Sequence, residues 1–442
     1  MTRKVRIGLL GCGVVGTGIL RLLQDNAATI EGRLGAPIEV VGIAVRSLAK
    51  PRDAIVPDAL VTEDARSVAT HPDVDVVVEV MGGLKPAGEL VKAALDAGKH
   101  VVTANKALLA EEGDALLETA EQKKVDLYFE AAVAGGIPII RVLREGLASD
   151  RIVALRGIVN GTSNYVLSRM QHEGLDFGEV LKDAQRLGYA EADPTLDVGG
   201  GDAAHKLAIL ATLAYGARVH PREIRKEGID TVGAVDMRYA ERFGFVIKPL
   251  AIARPVTWHG KEALDLRVHP ALVSKSSVLA SIGGALNAVF VEGAMLGPCL
   301  LSGPGAGALP TAMSVVSDIV DVGRNMLVDT HARVPTRAFR GESLAAIPVR
   351  PATEHRCRWY LRFTVVDQPG VLARIAGVLG GFDVSIEQMV QEGGRGEGAG
   401  PATLVMLTHE AREGDVREAL SEIARLAYCH DAPRALRVEE GA

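Results

Sequence analysis

Aromatic residues make up only 4% of this 442-residue chain, and it contains just four cysteines. So few rings argue against a platform on which nucleic-acid bases stack. Cys12, Cys299, Cys357 and Cys429 lie far apart, with no close pair. That spacing supports neither a structural zinc site nor a disulfide framework, so reduced thiols in a cytoplasmic protein are expected. No uninterrupted apolar run is long enough to span a bilayer. Residues 1–6 lead straight into an apolar strand, without the long apolar stretch and cleavage site of a secretory signal. An excess of positive charge is also missing: 49 Lys and Arg face 55 Asp and Glu, a net charge of −6. No basic footprint for nucleic acid is therefore present. What is there is ordinary globular composition, 48% hydrophobic and 24% charged, in a chain long enough for two or three domains.

Through residues 1–135, short β-branched runs alternate with helical patterns. Residues 5–10, 38–45, 74–80 and 100–103 read as strands, and 14–24 and 87–97 as helices. This alternation implies an α/β fold with a doubly wound parallel sheet. Between the first strand and the first helix, Gly11, Gly13 and Gly16 spell G-x-G-x-x-G. The first glycine permits a tight turn, the second lets the backbone approach a pyrophosphate, and the third packs helix on strand. The helix start then offers N–H groups to the phosphates. Gly11, Cys12, Gly13, Val14, Val15 and Gly16 are therefore assigned to a nicotinamide dinucleotide in a Rossmann-type domain. The next strand ends in Arg46-Ser47, with Lys50 nearby and no carboxylate to hold a ribose 2′-hydroxyl. Arg46 fits a 2′-phosphate, so NADP is expected, with NAD left open.

Two further segments concentrate polar groups. Thr103-Ala104-Asn105-Lys106 follows a strand, where ligands of parallel sheets bind, so Thr103 and Lys106 are placed beside the nicotinamide. Residues 188–206 carry Glu191, Asp193-Pro194, Asp197, a glycine run, Asp202 and Lys206. Asp202 opens a helix, and Lys206, four residues on, shares its face. Carboxylates suit the ammonium of a small zwitterion, and a lysine can exchange a proton with its hydroxyl. Residues 136–340 are read as an α+β region for substrate and subunit contacts. Its helix near 311–326 is expected to pack back on the first domain.

Together these residues resemble homoserine dehydrogenase. The motif is reproduced as Ala184, Gly188-Tyr189, Asp193-Pro194, Asp197, Gly200-x-Asp202 and Lys206, and the resemblance extends to 103–106, 130–138, 160–165 and 303–307. It implies that Glu191, Asp197, Asp202 and Lys106 bind substrate, and that Lys206 or Lys106 moves the proton. It also implies that Glu130, Val133, Gly135 and Ile137 offer mainly backbone oxygens to a monovalent cation, sodium, in keeping with oxygen ligation of hard cations. Gly303 and Gly305 are expected to line the cofactor cleft. The implied reaction interconverts L-homoserine and L-aspartate 4-semialdehyde, in a homodimer or homotetramer. Another NADP-dependent reductase of an amino-acid aldehyde, or a non-catalytic sensor, is the rival reading.

After a connection at 341–357, residues 358–442 begin with an alternating strand at 358–366. Asp367-Gln368-Pro369-Gly370, a helix at 371–379 and a strand at 384–388 follow. This resembles an ACT domain, a ferredoxin-like fold. The resemblance implies an effector site at Asp367, Gly370, Val371 and Leu372, with threonine as effector. A chain ending near Pro351 is expected to stay active and lose that response. The glycine run at 393–400 reads as a mobile loop.

Overall fold

The computed structural model describes residues 3–393 and 401–441; most of the glycine run read as a loop at 393–400 lies outside them. The chain divides into two compact units: Met1–Leu155, His205–Glu223 and Asn287–Ala346 form the first, and Arg156–Ala204, Ile224–Leu286 and Ile347–Ala442 the second.

In the first unit, β1 (Val5–Leu10), β2 (Ile38–Ala44), β3 (Val61–Thr62), β4 (Val76–Glu79), β5 (His100–Thr103) and β6 (Leu127–Tyr128) form one sheet. The pairs are parallel, in the order β3-β2-β1-β4-β5-β6. This is the doubly wound Rossmann order, whose ligand crevice opens where the winding reverses, beyond β1 and β4. All four residues of β4 are buried, as parallel strands covered on both faces require. The helix Ala308–Leu327 packs against Val14–Asp25 so closely that a Cβ on Gly18 would lie 2.7 Å from the Ala308 carbonyl oxygen. Ala312, Val315 and Ile319 join Ile7, Leu9, Ile19 and Val78 in one core, so the late helix does cover the first sheet.

The second unit is built on a long antiparallel hairpin, Phe245–Trp258 with Lys261–Ser274. Its C-terminal part runs strand Arg356–Val365, helix Val371–Gly381, strands Ile386–Glu392 and Ala402–Thr408, helix Glu413–Ile423 and strand Arg434–Glu439. The four strands pair antiparallel with Arg434–Glu439 at one end, giving the ferredoxin-like βαββαβ arrangement. That end strand also pairs parallel with the hairpin, Ala271 beside Arg437 and Val273 beside Glu439. Tyr239, Leu272, Tyr360, Val405, Leu436 and Val438 share a single core. The connecting segment is tied down as well: Val349 bridges to Leu264, and Arg350 meets Asp265 at 2.9 Å. These contacts build the C-terminal segment into the second unit, so a chain ending near Pro351, expected to stay active, would lose a sheet edge and part of a core. The C-terminal segment completes a sheet and a core instead of hanging from a tether.

Candidate active site

The glycine loop after β1 has the shape its spacing predicts. Gly11 adopts φ +102°, and a Cβ there would come within 2.9 Å of the Val80 carbonyl oxygen. A Cβ on Gly16 would strike the Gly11 carbonyl oxygen at 2.4 Å, so helix Val14–Asp25 presses directly on the turn. At Gly13, by contrast, the Cβ position has nothing within 4 Å, and no side chain caps the helix. Open space beside uncapped N–H groups is what a pyrophosphate needs. Val14 is 72% exposed at this mouth, and Val15 is half-buried behind it. Burial pushes the Cys12 thiol upward in pKa, which keeps it protonated. After β2, Arg52 donates to the Leu48 and Ser47 carbonyl oxygens and shapes the loop. Arg46 is exposed on that loop, with no hydrogen bond or ion pair among the described residues.

A residue that the sequence reading passed over organises the next two strand ends. Glu79, fully buried at the end of β4, accepts from Met81 N at 2.8 Å and Gly82 N at 3.1 Å. Its other oxygen accepts from Thr103 Oγ1 at 2.6 Å. Thr103 Oγ1 in turn accepts from Asn105 N at 3.0 Å, and Asn105 Nδ2 donates to the Gly83 carbonyl at 2.7 Å. Asn105 also caps helix Lys106–Lys123 through Leu108 N. Lys106 therefore begins a helix whose start is locked to the crevice.

The loop 130–137 is deeply buried. Glu130 accepts from Ile140 N and Arg141 N, both at 2.9 Å, and its own N–H donates to Asp318 Oδ2 at 2.7 Å. Burial raises both carboxyls, Glu130 to about 6 and Asp318 to about 8. Two backbone donors favour the ionised form of Glu130, so Asp318, wholly buried with one such donor, is the group that keeps the proton. Ala134 and Gly135 take positive φ. The Gly135 carbonyl accepts from Ser314 Oγ at 2.6 Å and the Ile137 carbonyl from Ile139 N at 2.8 Å, leaving each a second lone pair. Val133 precedes them and is fully buried. An all-oxygen donor set of this kind fits a hard monovalent cation. Gly303 ends strand Gly297–Pro304, and the Gly305 carbonyl oxygen lies 2.6 Å from where a Gly135 Cβ would stand. Gly305 and the 130–137 loop are thus neighbours.

In the second unit, Asn160 gathers two carboxylates, Asp197 and Asp202. Its Nδ2 donates to Asp197 Oδ1 at 2.7 Å and to Asp202 Oδ2 at 2.8 Å, while its Oδ1 caps helix Gly161–Glu173 through Ser163 N at 2.8 Å. Ser163 Oγ donates to the Asp197 carbonyl at 3.0 Å. Tyr165 stacks on Tyr189 at 4.3 Å, and Thr162 Oγ1 bonds the Tyr189 carbonyl. Asp202 is buried and Asp197 half-buried, whereas Glu191 is exposed and stands apart from this cluster's bonds. Lys206 lies one turn beyond Asp202 on helix Gly201–Tyr215 and is 9% exposed.

At the C-terminal segment, Asp367, Gly370, Val371 and Leu372 line one cavity of about 420 Å³ with Gln368 and Gln391. Gly370, at φ +92°, caps helix Val371–Gly381, and Asp367 accepts from Gln391 Nε2 at 3.2 Å. Among the described residues no His, Cys, Asp and Glu cluster suited to a metal is present, and no helix is long and apolar enough to cross a membrane.

Three family models match this chain: a homoserine dehydrogenase NAD-binding domain at residues 11–130, homoserine dehydrogenase at 138–320, and an ACT domain at 359–427. The chain is similar to homoserine dehydrogenase of Synechocystis sp., 46% identical over 98% of this chain and 99% of that one. The homoserine dehydrogenase of Neisseria gonorrhoeae is 44% identical over 99% of both. Among solved structures, that from Thiobacillus denitrificans superposes with a TM-score of 0.92 at 45% identity, over 99% of this chain and 98% of that one. A hyperthermophilic archaeal homoserine dehydrogenase in complex with NADPH superposes with a TM-score of 0.62 at 28% identity, over 75% of this chain and 100% of that one.

Proposed function

Because the chain belongs to the homoserine dehydrogenase family, and so is an NAD(P)-dependent oxidoreductase acting on a CH–OH group, we propose that it interconverts L-homoserine and L-aspartate 4-semialdehyde with NADP(H). This places it in threonine, methionine and isoleucine synthesis in the cytoplasm. The observation that carries the substrate assignment is Asn160, which draws Asp197 and Asp202 into one anionic pair. Two carboxylates held this way suit the ammonium of an amino acid. Glu191 is assigned to the outer edge of the same site.

The bound nicotinamide supplies the hydride acceptor. The remaining work falls to the chain. Lys206 is assigned to take the proton from the homoserine hydroxyl, and Lys106 to bind the substrate and the reacting oxygen. Gly11 to Gly16 cradle the pyrophosphate, with Thr103 beside Lys106 and with Gly303 and Gly305 along the cleft. NADP over NAD is supported by the unengaged Arg46 and by the relative solved with NADPH. Backbone oxygens of Glu130, Val133, Gly135 and Ile137 hold sodium. Threonine binds at Asp367, Gly370, Val371 and Leu372 between paired copies, so the enzyme is at least a dimer.

The test is NADPH oxidation with aspartate semialdehyde. Lys206→Ala and Lys106→Ala should each lower kcat by roughly 10²-fold or more, the range for general acid–base groups, in protein that still melts cooperatively. A wild-type protein inactive with this substrate, or near-normal turnover in both variants, overturns the mechanism.

A further inference from the structure

The last strand of the chain reaches the residues beside the substrate loop through the Arg437–Glu227 pair, and Glu227 is also met by Arg417 and, at 3.5 Å, by Arg225. Arg437, 1% exposed, donates from Nη1 to Glu227 Oε2 at 2.8 Å and from Nη2 to Glu227 Oε1 at 3.0 Å. Its Nε is held by Glu413 at 2.9 Å, and its guanidinium lies 5.0 Å over the Trp359 ring. A guanidinium fixed on three sides leaves little freedom to the carboxylate it clamps, because bidentate pairing sets geometry as well as energy. Glu227 is anchored in turn by its N–H, which donates to the Val268 carbonyl at 2.8 Å.

The residues that follow Glu227 lie directly on the substrate loop. Ile229 N donates to the Val198 carbonyl at 2.9 Å. A Cβ on Gly228 would fall 2.8 Å from that same oxygen and 3.1 Å from Gly199 Cα. A Cβ on Gly200 would lie 3.4 Å from the Glu227 carbonyl oxygen. Val198 to Gly200 is the short stretch that joins Asp197 to the helix carrying Asp202. A displacement of Glu227 therefore shifts the backbone between the two carboxylates that Asn160 bridges.

We propose that Glu227 is a positioning residue for the dehydrogenase reaction: clamped by Arg437, it sets the loop that presents Asp197 and Asp202 to homoserine. The proposal rests on the assignment of those two carboxylates to the substrate. It makes the C-terminal strand part of the framework of substrate binding, and Glu227 the point at which a movement of that strand is felt.

The test measures steady-state constants for Glu227→Ala and for the shape-preserving Glu227→Gln. KM for homoserine should rise about 2- to 30-fold in the alanine variant, the range for residues coupled through packed contacts. The rise should be smaller in Glu227→Gln, which keeps an acceptor for Arg437. Turnover at saturating homoserine and KM for the nicotinamide cofactor should stay close to wild type, as expected when only substrate binding is weakened. Arg362→Ala is the control. It breaks contacts to Asp236 at 2.6 and 3.2 Å in the same unit, and should lower the thermal midpoint without moving KM. Wild-type KM in Glu227→Ala, or an equal rise in Arg362→Ala, overturns the positioning role. Asp197→Asn and Asp202→Asn separate the two ideas. If they bind homoserine normally, the substrate assignment itself fails. If they lose binding while Glu227→Ala keeps it, only the positioning role fails.

Discussion

A dehydrogenase that prefers a phosphorylated ribose must offer the phosphate a cation not already engaged by a carboxylate. Near β2, Arg21 is spent on Asp53 at 2.8 Å, and Arg52 on two backbone carbonyls. Arg46 is left on the loop where an NAD-specific chain would carry an acid. Arg46→Ala should raise KM for NADP(H) by roughly tenfold, the loss of one charge-assisted contact at an exposed site. KM for NAD(H) should stay nearly constant, since that cofactor has no phosphate there. Equal changes for both cofactors would make Arg46 a bystander. Asn160 shows a different residue-scale economy. One amide caps a helix and holds two carboxylates together, so the like charges of Asp197 and Asp202 are partly compensated before any substrate arrives.

Helix Ala308–Leu327 does more than cover the first sheet, because it brings Asp318 against the 130–137 loop. A carboxyl whose pKa is higher folded than unfolded binds its proton more tightly in the native state. Its stabilising contribution is complete below the ordinary carboxylate range and is lost as pH rises toward the folded value. For Asp318 that window runs from its ordinary value of 3.8 up to about 8. The Asp318 contribution to the thermal midpoint should therefore fall across this range, against the opposing gain from His269 and His355, which burial keeps neutral. In Asp318→Asn, which keeps an acceptor for Glu130 N–H, the fall should shrink, with the variant gaining a few degrees on wild type by pH 8.5 at about 2–4 °C per kcal/mol. Parallel profiles in differential scanning fluorimetry would remove Asp318 as the cause. Elements of this kind were legible in the sequence to different degrees. Apolar, β-branched strands and the G-x-G-x-x-G turn announce the first sheet, and the helix near 311–326 shows its apolar face. The two-residue strands β3 and β6 carry no period to read. The pairing of Arg434–Glu439 with the hairpin was hidden because Arg437 and Glu439 look solvated, yet both are buried among opposite charges. In the site, the lysines and acids stood out by type. Asn160 did not, since its partners lie 37 and 42 residues away. Glu79 was passed over because nothing in a short apolar run shows that its carboxylate turns back to bond the next strand end.

Across the whole molecule, that buried seam decides what can be removed. Asp265 is surrounded by Arg267 at 3.0 Å, Arg254 at 3.1 Å, Arg350 at 2.9 Å and His355 at 3.6 Å, and Arg267 reaches Glu439 at 2.6 Å. Asp236, 1% exposed, meets Tyr360 at 2.9 Å and Arg362 at 2.6 Å. A chain ending at Pro351 would open Arg267 and Asp236 to water, with Arg267 keeping Asp265 and Asp236 keeping the Gly233 N–H. The larger loss is apolar: Leu272 and Tyr239 would be stripped of Tyr360, Leu436 and Val438, at about 1.5–3 kcal/mol for each large side chain uncovered. Whole domains are stable by only about 5–15 kcal/mol, so a few such exposures are of the size of the whole stability. The truncated chain should therefore elute as aggregate in size-exclusion chromatography, show no cooperative melt and have less than a tenth of wild-type NADPH oxidation, a loss of the size such burial costs imply. Asp367→Ala in the full chain should behave oppositely. Its cavity lies at the far end of strand Arg356–Val365, so activity should persist while the response to threonine weakens. A soluble, cooperatively folded truncation with full turnover would show that the shared sheet is dispensable, and that the C-terminal segment is an independent module after all.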